Sequence, residues 1–240
     1  SPYPAEIFYC LNLLEEIEHP EITELLKKVI AHENRDVRMD VLRRISEMRI
    51  RPLTQHVLSR IEVEPDDAVR GQAIISYASL SPADTISVLS PYLKDISPNL
   101  RRGALIGILC HDPSNDTAND YLLNLIRSQV TEDRLFASEI MGEIGSDHFS
   151  GFLVELITDS DISVVEHAIR AAGLILDSRL VNPLVTKLSE PTLLPAASTA
   201  LRNYGEAALY DLDLGLISPE TQRPEKLYII DIIREIGGVK

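Results

Sequence analysis

Four arginines recur at nearly even spacing: Arg38, Arg70, Arg101 and Arg134 stand 32, 31 and 33 residues apart. A guanidinium is permanently charged and presents five donors in a planar fork, so a repeated arginine has two plausible uses. Stacked one above another, the four form either a structural ladder, bonded to carboxylates and carbonyls of adjacent units, or a stripe that binds a partner. Other reactive residue types lack company. His32-Glu33 is the one His-Glu dipeptide, and the histidines at 19, 56, 111, 148 and 167 are scattered. A metal pair needs several such ligands converging, so no metal site is expected; His167, beside Glu166, reads as a surface histidine. Cys10 and Cys110 belong to no CxxC pair and sit inside apolar helical patterns, which predicts buried thiols in a reducing compartment. None of the 11 glycines precedes a lysine and no GxGxxG occurs, so phosphate-loop chemistry has no support. No nucleophile elbow is present. Glu15-Glu16 and Asp66-Asp67 read as solvated helix ends, and Asn115-Asp116-Thr117 as loop polarity with a helix cap. Catalytic residues and cofactors are expected to be none.

The elements that carry the arginines repeat with them. VRMDVLRRI from Val37, VRGQAIISY from Val69, LRRGALIGI from Leu100 and VVEHAIRAA from Val164 share apolar or small residues four positions apart. Val41, Ala73, Ala104, Ala137, Ala168, Ala197 and Tyr228 fall in one slot, separated by 32, 31, 33, 31, 29 and 31 residues. A fixed period near 31 is the mark of a solenoid. Each unit reads as two helices. In the first, exemplified by residues 20–31, Ile22, Leu25, Leu26, Val29 and Ile30 line one helical face. The second begins after a polar break. Ser81-Pro82, Ser97-Pro98 and Ser218-Pro219 pair a hydroxyl cap with proline at the first helical position, and Asp66, Thr131 and Asp161 are further cap candidates. Small residues three past the slot, Ser76, Gly107, Ala171 and Ala200, let neighbouring second helices approach closely. Pro91 and Pro183 fall inside first helices and are expected to kink them.

Charge narrows the partners. The 240 residues carry 23 Lys+Arg against 37 Asp+Glu, a formal charge of −14. Residues 1–60 hold 9 basic and 10 acidic residues, and residues 61–240 hold 14 and 27. Nucleic acid is therefore not expected as a partner, because phosphate binding needs clustered Lys and Arg. A protein or peptide partner with a basic surface is. The longest uncharged stretch, residues 71–83, is too short and too polar to span a bilayer. The opening Ser1-Pro2-Tyr3-Pro4, without Met or signal-like core, suggests a piece of a longer protein in the cytoplasm.

With the register laid out, the chain resembles HEAT-repeat proteins. Asp36-Val37-Arg38, Asp67-Ala68-Val69-Arg70 and Asn99-Leu100-Arg101 are similar to the Asp-x-Val-Arg opening of that family's second helix, and Pro183-Leu184 to its proline-containing first helix. Asp133-Arg134 and Leu193-Leu194-Pro195 depart from the pattern. The resemblance implies an all-α, right-handed α-α superhelix of about seven helical pairs. It would form a single solenoid over residues 1–240, with a lone helix at 5–18 and repeats at 20–49, 52–80, 82–110, 116–145, 147–177, 178–204 and 205–238. The stretches from Phe8 and from Ala168 are also similar to soluble HEAT regions of bacterial nucleotide-translocase-like membrane proteins. Iron hydroxylases of HEAT type carry repeated His-Glu pairs, which one dipeptide does not supply. HEAT-like DNA glycosylases carry a basic face, whereas residues 103–168 hold 12 acidic residues against Arg127 and Arg134 alone. The resemblance thus implies a non-enzymatic interaction or regulatory module, the cytosolic part of a transporter-like protein. The alternative is a HEAT-like lyase or accessory enzyme, which polar side chains clustered in one cleft would favour.

Overall fold

The computed structural model describes residues 3–219 and 221–237; Ser1-Pro2 of the opening and residue 238 of the last expected repeat lie outside them. The protein is all-α, and no strand occurs among the described residues. Its helices are short, joined by brief loops, and arranged as a HEAT-like helical repeat. Residues 1–121 and 122–240 form two compact units.

The first unit contains α1 (Pro4–Glu16), α2 (Ile22–Val29), α3 (Arg35–Glu47), α4 (Thr54–Val63), α5 (Asp67–Ser79), α6 (Thr85–Leu89) and α7 (Pro98–His111). The helix α8 (Asp116–Ile126) contains the division. Beyond it lie α9 (Thr131–Ile144), α10 (Ser150–Ile157), α11 (Ile162–Ile175) and α12 (Val181–Thr186). The chain ends with α13 (Leu194–Tyr204), α14 (Leu209–Ile217) and α15 (Arg223–Ile236).

Local chemistry starts these helices and burial holds them. Asn34 Oδ1 accepts the N–H groups of Asp36 and Val37 at 2.9 and 3.1 Å, and Asp66 Oδ1 accepts those of Ala68 and Val69 at 3.0 Å. Each cap satisfies amides that the first turn leaves without carbonyl partners. Asp161 does the same for α11 through the Ser163 N–H at 2.9 Å. Val37, Val41 and Ile45 of α3 are fully buried at i, i+4 and i+8. Each such side chain contributes about 1.5–3 kcal/mol relative to exposure. The first six slot residues, Val41 through Ala197, are all fully buried. The seventh is one residue off: Tyr228 is 41% exposed, and Ile229, turned by 100° along the helix, is buried in its place.

Second helices come into backbone contact where glycine permits it. A Cβ on Gly103 of α7 would stand 2.5 Å from the Gly71 carbonyl oxygen of α5, and one on Gly71 would stand 2.6 Å from that of Asn99. Ser76, three past its slot, donates its hydroxyl to the Leu42 carbonyl of α3 at 2.7 Å. In the second unit, Gly173 of α11 faces Ala200 of α13, with 2.9 Å between an added Cβ and the Ala200 Cα.

Several local expectations are corrected. Pro91 does not kink a helix; α6 stops at Leu89 and the chain tightens into a 3-10 segment, Ser90–Lys94, because proline removes an N–H from the helical ladder. Pro183 is the third residue of α12, where the N–H has no intrahelical partner anyway, and the helix runs through it. Of the Ser-Pro pairs, only Ser97-Pro98 opens a helix, and there the Ser97 hydroxyl makes no cap bond; α6 starts at Thr85 and α15 at Arg223. Ser81 instead turns the chain out of α5 with φ of 52°. Thr131 is the first residue of α9 rather than its cap, and its hydroxyl donates to Asp161 at 3.2 Å. Both thiols are exposed, not buried. Helix α1 buries one narrow face through Ile7 and Leu11, and Cys10 lies off it; Cys110 lies in the last turn of α7, beside exposed His111. Among the described residues no helix is long and apolar enough to cross a membrane.

Candidate functional site

The four arginines occupy matching places at the starts of α3, α5, α7 and α9, and their donors turn inward. Arg38 is bidentate to Glu64, at 2.9 and 2.7 Å, and also donates to the carbonyls of His32 and Glu33 at 2.8 and 2.9 Å. His32-Glu33 is thereby a backbone turn gripped by Arg38, and the His32 ring accepts the Asn34 N–H at 3.0 Å. Arg60 also donates to Glu64. Burial pushes the Glu64 carboxyl up, but the hydrogen bonds from Arg38, Arg60 and the Asp66 N–H outweigh it and hold the pKa below its ordinary value. Arg134 repeats this arrangement, bidentate to Asp159 at 2.7 and 3.0 Å and bonded to the Ser128 carbonyl at 2.8 Å. Arg70 and Arg101 find carbonyls instead. Arg70 donates to Ile61 at 2.6 Å, with its guanidinium 5.5 Å from the Tyr92 ring centre, and Arg101 donates to Asp95 and Ile96 at 2.8 and 2.9 Å.

The histidines do not converge. His167 meets the Ser163 carbonyl through Nδ1 at 2.9 Å, and its Nε2 lies 3.7 Å from Glu139. Among the described residues no group of three or more His, Cys, Asp or Glu could hold a metal ion.

Polar side chains do gather in a cleft of about 460 Å³ in the second unit. Helix α12 supplies Asn182 and Thr186, α14 supplies Asp211, its C-terminal end Ser218, and the entry to α15 supplies Thr221 and Glu225. Val185, Leu214 and Gly215 complete the lining. Each wall has a local cause. Asp211 stands in the first turn of α14, where the helix dipole favours a carboxylate. Glu225 closes a capping box at α15, accepting the Gln222 N–H at 3.1 Å, which fixes its side chain beside the cleft. A Cβ on Gly215 would stand 3.1 Å from Val185 Cγ1 and 3.2 Å from Ile229 Cδ1, so glycine keeps that wall thin. Nothing in the linear sequence marks this cleft: its polar residues are common types, spread over more than 40 positions and joined only by folding.

No protein-family model and no curated protein matches the chain. Its likeness is to solved helical-repeat structures. One is the complex of CpcE and CpcF of phycocyanin lyase from Nostoc sp. PCC7120, at 16% identity and a TM-score of 0.47 over 89% of this chain and 94% of that one. Another is human deoxyhypusine hydroxylase in complex with glycerol, at 13% identity and a TM-score of 0.42 over 94% and 88%. A third is an engineered protein, at 18% identity and a TM-score of 0.40 over 76% and 97%. At these identities the likeness is one of fold. It nevertheless corrects the expectation of a non-enzymatic module in a transporter-like protein, and with it the expectation that the chain is no enzyme. The two natural proteins are named as a lyase and a hydroxylase, and neither is a nucleotide translocase.

Proposed function

We propose that the chain is an accessory enzyme of the HEAT-like lyase kind, acting on a protein substrate. The observation that carries this reading is the cleft between α12, α14 and α15, where six polar side chains meet in about 460 Å³. A surface that only binds needs area and complementarity; chemistry needs groups brought together from different elements. Asp211 and Glu225 are of the type that takes or delivers protons, and the hydroxyls and the Asn182 amide are of the type that orients a reacting group. The protein substrate has a basic surface, in keeping with the chain's charge of −14. In this reading Arg38, Arg70, Arg101 and Arg134 are structural ties, since their hydrogen bonds run to neighbouring loops and carbonyls. The test is to incubate the chain with proteins of its source cell and follow intact masses. A protein that gains or loses a group only when the chain is present, and no longer does so with Thr221→Trp filling the cleft, supports the reading. A protein that binds the chain at unchanged mass under every condition overturns it.

A further inference from the structure

The lining of the cleft between α12, α14 and α15 is one-sided in charge. Asp211 and Glu225 are both acidic, and among the described residues no Lys or Arg lines the cleft. Among the described residues neither carboxylate forms an ion pair. The groove between α11 and α13 shows the contrast: of similar volume, about 460 Å³, it carries its own cation, Arg170, bonded to Glu166 at 2.6 Å. That groove is neutralised internally, and the cleft at α12, α14 and α15 is not. Two like charges in one concavity leave a negative potential that an incoming cation relieves.

The remaining wall says what shape of cation fits. Val185 and Leu214 present methyl groups and Gly215 presents bare backbone, while Asn182, Thr186 and Ser218 offer oxygens. An inorganic ion would use the oxygens and leave the apolar wall idle. A long side chain uses both, laying its methylenes on carbon and its charged end among acceptors. We infer that the cleft takes the cationic end of a lysine or arginine side chain from a basic protein segment, the ammonium or guanidinium facing Asp211 and Glu225 and the stem lying on Val185 and Leu214. The inference rests on the reading of this cleft as the working site, and it names what enters it. A guanidinium has the closer match, because its fork pairs two carboxylates while further donors reach the amide and hydroxyl oxygens.

The test is nuclear magnetic resonance of the ¹⁵N-labelled full chain titrated with blocked arginine, blocked lysine and blocked citrulline, each carrying an N-acetyl and a C-terminal amide. Saturable shifts of amides in residues 182–186 and 211–225 are expected with arginine or lysine and not with neutral citrulline. The stronger of the two cations identifies the side chain. Asp211→Asn should weaken that binding about tenfold, the size of a lost charge-assisted hydrogen bond. Glu225→Gln provides a second variant that still folds α15, since glutamine also closes a capping box. Citrulline binding as well as the cations, or cation binding unchanged in both variants, overturns the inference. The outcome is separable from the function itself: the mass assay reads chemistry on a whole protein, whereas this titration reads occupancy of the cleft by a side chain.

Discussion

The same arginine position is used differently within the two units, and the difference shows that position alone does not decide its role. In the first unit Arg38 reaches Glu64 at the end of α4, and side-chain exposures of 9% and 0% put the pair inside the protein. In the second unit Arg134 reaches Asp159 after α10 in the same bidentate way, at 12% and 11%. Arg70 and Arg101 have the same place at their helix starts, yet their guanidiniums bond carbonyls, and that of Arg70 also lies against the Tyr92 ring. The position does not dictate the partner. Nor is a carboxylate in the following loop enough: Asp95 stands 25 residues after Arg70, as Asp159 does after Arg134, yet Arg70 bonds the Ile61 carbonyl; where a carboxylate is engaged, its depth sets what its removal costs.

The largest expected effect follows from the deeper pair. Glu64→Gln leaves Arg38 and Arg60 without their shared counter-charge in the interior, at a cost of about 3–5 kcal/mol. Asp159→Asn removes a shallower carboxylate with one main arginine partner, and about 1–3 kcal/mol is expected. Urea unfolding of both variants, with segment-resolved hydrogen exchange to locate the loss, checks the order. Equal losses would mean that burial does not separate the two pairs.

Next in size is the contact between second helices. Gly103→Ala drives a Cβ into the Gly71 carbonyl, backbone against backbone, and about 1–3 kcal/mol of overpacking is expected. Gly173→Ala meets Ala200 at 2.9 Å, a side chain and its Cα on a helix beginning at Leu194, and should cost less. Thermal unfolding of the two variants decides whether α5 and α7 are the more rigid pair.

A smaller effect comes with pH. Asp177 accepts from the Arg179 side chain, the Ser150 hydroxyl and the Arg179 N–H, and the first of these does most to lower its pKa to about 2. In the unfolded chain an aspartate titrates near its ordinary value of about 3.9. A pKa depressed by folding contributes stability that is complete above the unfolded value and lost as pH falls through the folded one. Stability should therefore decline between about pH 4 and pH 2, more in the second unit at Asp177, and Ser150→Ala should shrink that decline. Asp159 adds in the same direction: burial raises its pKa, and the Arg134 and Asp161 N–H bonds more than offset it. Denaturation midpoints from pH 6 to pH 2, in the parent and in Ser150→Ala, are the measurement; a midpoint flat across that range would contradict the sign.

Much of the fold could be read from residues three and four apart. Val41, Ala73, Ala104, Ala137, Ala168 and Ala197 are buried because a helix brings every fourth residue to one face, and that periodicity is visible without coordinates. The seventh slot slipped by a residue because α15 buries only Ile229 and Ile232 completely, which leaves too narrow a stripe for the pattern to fix its phase. The exposed Cys10 was missed for a related reason: α1 packs on one side, and sequence pattern alone does not say which apolar residues face the second side. The candidate site was not legible. Asn182, Asp211 and Glu225 have no fixed spacing, and their convergence depends on how α12, α14 and the α15 capping box meet.

The smallest effect is also the one that separates the two uses of the arginine series. Arg70→Met removes a carbonyl bond and a cation–π contact, and it leaves no carboxylate behind to be buried alone. About 0.5–1.5 kcal/mol is expected. Arg101→Met loses two carbonyl bonds without the aromatic contact and should fall at or below that range. Methionine keeps the length and most of the packing of the stem, so the loss isolates the charged end. If both variants lose stability in this small measure while the chain-dependent mass change is retained, the arginines are ties. If stability is untouched and the mass change disappears, Arg70 and Arg101 meet the substrate, and the carbonyl bonds merely hold them until it arrives.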